Sequence, residues 1–128
     1  MNIFMKIYIL SLLALVIMSG CLNTGQQSKD CGYEYTKCLL PAEQDCTLAH
    51  GRLDNGDVII YEQILGPSGD NCKINMKVEH PSEVNGLEAA CEIPKNVIST
   101  PTNPDDLSFL CKYCKGTMVE FLHKTNVC

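Results

Sequence analysis

The chain has 128 residues, 45% of them hydrophobic, with nine cysteines, no tryptophan and a formal net charge of −5. That length suits one domain with a modest core. The acidic balance excludes the basic patch that nucleic acid or an anionic membrane surface demands, and the scarcity of aromatic residues argues against a base-stacking platform or a carbohydrate cleft.

Residues 7–17 form an apolar run preceded by a single charge, Lys6. The run is shorter than the ~20 apolar residues that cross a bilayer as a helix, so it reads as the hydrophobic region of a secretory signal. It stops on Met18, two small residues, Ser19 and Gly20, and then Cys21. These four residues resemble the lipobox of prokaryotic membrane lipoproteins, and the resemblance covers residues 1–21 alone. It implies cleavage before Cys21, acylation of Cys21 as the new N-terminus, and a lipid-anchored location on the exported face of a cell-envelope membrane. Two other readings stay open: Cys21 as a disulfide cysteine just past a signal cleavage site, and the run as an uncleaved anchor. Cleavage before Cys21 removes 20 residues and Lys6, leaving 108 residues with a net charge of −6. Setting Cys21 aside leaves an even set of eight cysteines, Cys31, Cys38, Cys46, Cys72, Cys91, Cys111, Cys114 and Cys128. Such density reads as a disulfide framework formed outside the reducing cytosol, each bond contributing roughly 2–4 kcal/mol.

Behind Cys21, residues 22–30 are small and polar, a flexible tether reaching about 15–18 Å. Residues 31–128 are then one disulfide-rich domain. Residues 31–46 read as an irregular stretch or short helix clamped by cysteines and broken by Pro41. Asp54-Asn55-Gly56-Asp57 predicts a two-residue type I′ turn pairing strands at 47–53 and 58–65, because Asn-Gly tolerates positive φ. Residues 66–71 reverse the chain again. Cys72, Ile74, Met76 and Val78 then alternate with Lys73, Asn75, Lys77 and Glu79, which predicts a strand with one buried face. After a turn through Pro81 and Asn85-Gly86, Leu87, Ala89, Cys91 and Ile93 repeat the alternation. Residues 95–102 read as a linker. Asn103-Pro104-Asp105-Asp106 reads as a capped helix start, followed by a stripe of Leu107, Leu110, Cys111, Cys114, Met118, Phe121 and Leu122 that Gly116 bends or ends. The expected fold is α+β, a small four-stranded antiparallel meander packed against a C-terminal helix.

Cys111-Lys112-Tyr113-Cys114 is a C-x-x-C motif, yet a redox pair belongs at a helix N-terminus after a strand, and both cysteines fall on the predicted buried stripe. Separate structural bonds are expected instead, Cys114 with Cys128 and Cys111 with Cys46, Cys72 or Cys91. Haem attachment fails because Lys115 follows Cys114. A zinc site of Cys111, Cys114, His123 and Cys128 has suitable ligand types but the wrong compartment. His50, His80 and His123 lie in no hydrolytic motif, and Asp54, Asp57, Asp70 and Asn71 belong to turns rather than to a calcium loop. The sequence therefore points to a non-enzymatic, membrane-anchored interaction or structural lipoprotein with no cofactor. Its expected partners are the membrane, through Cys21, and an envelope or extracellular protein. The alternative is an envelope thiol–disulfide protein using Cys111 and Cys114.

Overall fold

The computed structural model describes residues 27–98 and 107–128. Its centre is a six-stranded mixed sheet in sequence order: β1 (Lys29–Asp30), β2 (Ala49–Asp54), β3 (Ile59–Ser68), β4 (Asn71–His80), β5 (Glu88–Pro94) and β6 (Cys114–Lys115). Strands β2 to β5 are the four expected from the Asn-Gly turn and the alternation, each antiparallel to the next. The other two are short edges. The structure is thus α+β as expected, and the four-stranded meander is its middle rather than its whole.

Two corrections come from those edges. Residues 29 and 30, read as the end of the tether, run parallel to β2, with Lys29 N–H donating to Leu48 O at 3.1 Å and Cys31 N–H to His50 O at 2.8 Å. Polar composition made the segment look free, but a strand edge offers backbone partners to any side chains. At the other edge, Cys114 and Lys115 pair with Cys91 and Ala90 of β5. The expected long C-terminal helix is consequently two helices on either side of β6, separated by an extended Cys114 (φ −120°, ψ 158°) and by Gly116. Gly116 has φ +126°, and a Cβ there would lie 2.5 Å from Glu88 O, so only glycine fits this approach to β5. The proposed helix start at Asn103 lies outside the described residues, as do the signal segment, Cys21 and most of the tether.

The helices are short. A π-helical turn (Tyr35–Leu39) runs into α1 (Leu40–Asp45), where Pro41 occupies the first turn and needs no donor, so it opens the helix instead of breaking it. Cys46 ends α1 in the left-handed region (φ 52°). Helix α2 (Lys95–Ile98) replaces the start of the expected linker, and α3 (Ser108–Tyr113) and α4 (Thr117–Lys124) flank β6. All pack toward the sheet face formed by Ala49, Ile64, Cys72, Ile74, Val78, Ala89, Cys91 and Ile93, which with Leu39, Leu110, Met118 and Leu122 makes the core. Splitting the C-terminal helix also splits its stripe: Leu110, Cys114, Met118 and Leu122 are buried, whereas Leu107 and Phe121 face solvent.

The turns differ in detail from expectation. The first hairpin closes at Asp54 opposite Ile59, a four-residue loop rather than a two-residue one. Asp54 Oδ1 accepts from Gly56 N–H at 2.9 Å, and Asn55 Oδ1 accepts from Asp57 and Val58 N–H at 3.1 and 2.8 Å, so the side chains satisfy the turn's amides. Strands β3 and β4 instead extend to Ser68 opposite Asn71, past a register shift between Ile64 and Gly66.

Candidate functional site

Along β3, Ile60 and Ile64 face the core while Tyr61 and Gln63 face the other way, and the position between the two isoleucines is Glu62. Strand alternation therefore carries a carboxyl group inward. Glu62 is 5% exposed, the one buried charged residue type among the described residues. Its cross-strand neighbours are Gly51 on β2 and Met76 on β4, neither of which brings charge. Gly51 has a separate constraint. A Cβ at Gly51 would stand 2.9 Å from the carbonyl of Gly32, an oxygen that accepts the Arg52 N–H at 2.6 Å. The turn after β1 thus lies tightly against β2, and brings the π-helical turn and α1 over the same end of the sheet.

Glu43 on α1 reaches the Glu62 carboxyl and hydrogen-bonds to it, and the Tyr35 hydroxyl donates to Glu43 Oε2 at 3.3 Å. Glu62 Oε1 has no hydrogen-bond partner. Burial raises the Glu62 pKa well above the ordinary carboxylate range, and the hydrogen bond to and charge of Glu43 add to it. Burial raises Glu43 as well, opposed by the hydrogen bonds from Glu62 and Tyr35. The Tyr35 phenol is likewise held far above its usual value, first by burial and then by Glu43 and Glu62. Glu62 and Tyr35 thus converge on Glu43 in a buried cluster where burial favours the protonated form of Glu62.

The opposite face of the sheet is polar and wet. Arg52 binds Glu79 through two bonds, at 2.7 and 3.1 Å, and lies 5.3 Å from the centroid of the Tyr61 ring. This pairing holds the Glu79 carboxyl below its ordinary range. Cross-strand pairs Lys73–Glu92 at 3.7 Å and Lys77–Glu88 at 4.0 Å continue the pattern. A shallow concavity of about 330 Å³ opens here between Tyr61, Gln63, Asn75, Lys77, Ala90 and Lys115.

All eight expected disulfide cysteines are bonded, as Cys31–Cys38, Cys46–Cys72, Cys91–Cys114 and Cys111–Cys128. The expected partners of the C-terminal pair are therefore exchanged: Cys114 joins Cys91, and Cys111 joins Cys128. The reason is β6. Extended backbone at Cys114 puts it directly opposite Cys91 in the sheet, and leaves Cys111, on α3, facing the returning tail. Cys111 and Cys114 do not bond to each other, and all three sulfurs of the zinc alternative are held in disulfides. Among the described residues no group of three or more His, Cys, Asp or Glu is placed to hold a metal ion. His50 Nδ1 lies 2.8 Å from Ser28 Oγ and its Nε2 3.7 Å from Asp30, at the β1–β2 edge, whereas His80 and His123 are exposed on β4 and α4. Asp54 and Asn55 serve their own turn, as expected. Among the described residues no helix is long and apolar enough to cross a membrane. Sequence reasoning passed over Tyr35, Glu43 and Glu62. The available signal was Glu62 itself, an acidic residue at a core position of Ile60-Tyr61-Glu62-Gln63-Ile64. No protein-family model, curated protein or solved structure matches the chain.

Proposed function

We propose that this is an exported lipoprotein, anchored through acylated Cys21, whose disulfide-stapled domain has a binding or structural role rather than a catalytic one. The observation that carries the reading is the closed pairing of the other eight cysteines, which leaves Cys21, the ninth, outside the disulfide set and next to Met18-Ser19-Gly20. Four disulfides suit an exported protein. A tether of seven residues, 22–28, between Cys21 and β1 keeps the domain near the membrane surface. The polar sheet face, with its paired charges and shallow concavity, is the surface offered to an envelope or extracellular protein.

The test is Cys21→Ala in a prokaryotic host that processes lipoproteins. The wild-type N-terminal peptide should carry acyl mass and fractionate with membranes, and the variant should move to the soluble exported fraction with its four disulfides intact. A membrane-bound variant together with a wild type lacking acyl mass refutes the anchor.

A further inference from the structure

We propose that Glu43 and Glu62 form a proton-operated latch, in which one shared proton holds α1 against the sheet and its loss as pH rises releases the span between Cys38 and Cys46.

A hydrogen bond between two carboxyl groups exists only while one of them is protonated. Burial favours the proton on Glu62, which is 5% exposed and hydrogen-bonded to Glu43, and Glu43 also accepts from the Tyr35 hydroxyl at 3.3 Å. Removing that proton leaves two facing carboxylates. The groups around them offer no neutralisation. Across the sheet face stand Gly51 and Met76, the π-helical turn contributes Tyr35, and the charged residues Lys37, Asp45 and Lys95 of that turn, α1 and α2 are all exposed. Repulsion is then relieved by separating α1 from β3, because Glu62 is fixed in a central strand paired on both sides.

The covalent frame decides what moves. Cys38 is tied to Cys31 beside β1, and Cys46 is tied to Cys72 on β4, so both ends of the segment stay on the sheet. Residues 39–45, which contain α1, are free of such ties. The latch therefore opens as a local excursion between two pinned ends, not as global unfolding.

The sign follows from the direction of the shift. Burial raises the folded-state pKa of Glu62 above the 4.5 of an ordinary glutamate. The folded state thus holds the proton more tightly than the unfolded chain, so the latch contributes fully below that ordinary value and is lost as pH rises through the raised one. The segment 39–45 is tightest in acidic surroundings and loosens as they become alkaline.

Two measurements on the full-length protein in detergent test this. Carbon NMR of the glutamate side-chain carboxyls should show one group titrating well above the others, absent in Glu62→Gln. Hydrogen exchange, corrected for intrinsic rates, should show protection in residues 39–45 falling at least about tenfold between about pH 5 and about pH 9 while β4 stays protected. Glu62→Gln, which keeps the donor and cannot ionise, should remove that pH dependence. Glutamates that all titrate in the ordinary range, protection in 39–45 that is flat in the wild type, or an equal fall in Glu62→Gln would each overturn the latch. The wild-type titration and exchange stand alone if the variant does not fold.

Discussion

Removing the Cys46–Cys72 bond should destabilise the domain far more than removing Cys31–Cys38, and the difference can be worked from the structure. The first bond closes a loop of 26 residues and the second a loop of 7. Chain entropy at about 25 °C assigns roughly 3.5 kcal/mol to the longer loop and about 2.4 kcal/mol to the shorter. Burial widens the gap. Cys72 is 0% and Cys46 3% exposed, both inside the core, so two alanines leave a sulfur-sized gap beneath the sheet. The Cys46→Ala/Cys72→Ala variant should therefore lose about 5 kcal/mol, against about 2–3 for Cys31→Ala/Cys38→Ala. Guanidinium unfolding of both variants without reductant, followed by circular dichroism, reads the two midpoints. Equal midpoints, or a lower one for the Cys31/Cys38 variant, would show that loop length and burial do not set the contribution of these bonds.

Three further substitutions examine the sheet. Ile74 is 2% exposed and faces Ile64 and Cys91, so Ile74→Ala should cost about 2–5 kcal/mol, whereas Lys73→Ala on the wet face, losing only the exposed Glu92 pair, should stay within roughly ±0.5 kcal/mol; equal losses in urea unfolding would deny the two-faced assignment. Gly51→Ala sets a Cβ 2.9 Å from Gly32 O and should cost about 1–3 kcal/mol in the same assay, with β1 exchanging faster than β4; a neutral substitution would mean that the turn after β1 yields freely.

Strands β4 and β5 were legible because their period of two is set by burial, each inward position between Cys72 and Val78 and between Ala89 and Ile93 being apolar, whereas β2 and β3 were read from the Asn55-Gly56 turn between them. The edges were not. Lys29-Asp30 and Cys114-Lys115 are too short to show a period, and both are strands only because a neighbour offers an unpaired backbone. The helix break at Gly116 was visible as a glycine, but its purpose, the close approach to Glu88, depends on a residue 28 positions away. For the same reason the cysteines could be counted and not matched. Glu62 broke the pattern in a strand otherwise read correctly, and a carboxyl partner 19 residues earlier, on a helix whose phase the sequence did not reveal, was needed to make that break intelligible.

The arrangement of the four bonds has a consequence for proteolysis. A single cut within 31–38, 46–72 or 91–128 falls inside a closed ring, since the loops of Cys91–Cys114 and Cys111–Cys128 overlap at residues 111–114. The pieces remain joined, and the mass leaves only with a reductant. Two intervals of the domain escape this cover, 38–46, which carries α1, and 72–91, which carries β4. The second also carries the turn between β4 and β5, where Ser82, Glu83, Asn85 and Gly86 are exposed. A protease thus has two places in the domain, the short helix α1 and the turn after β4, where cutting a single peptide bond yields two pieces that no disulfide joins.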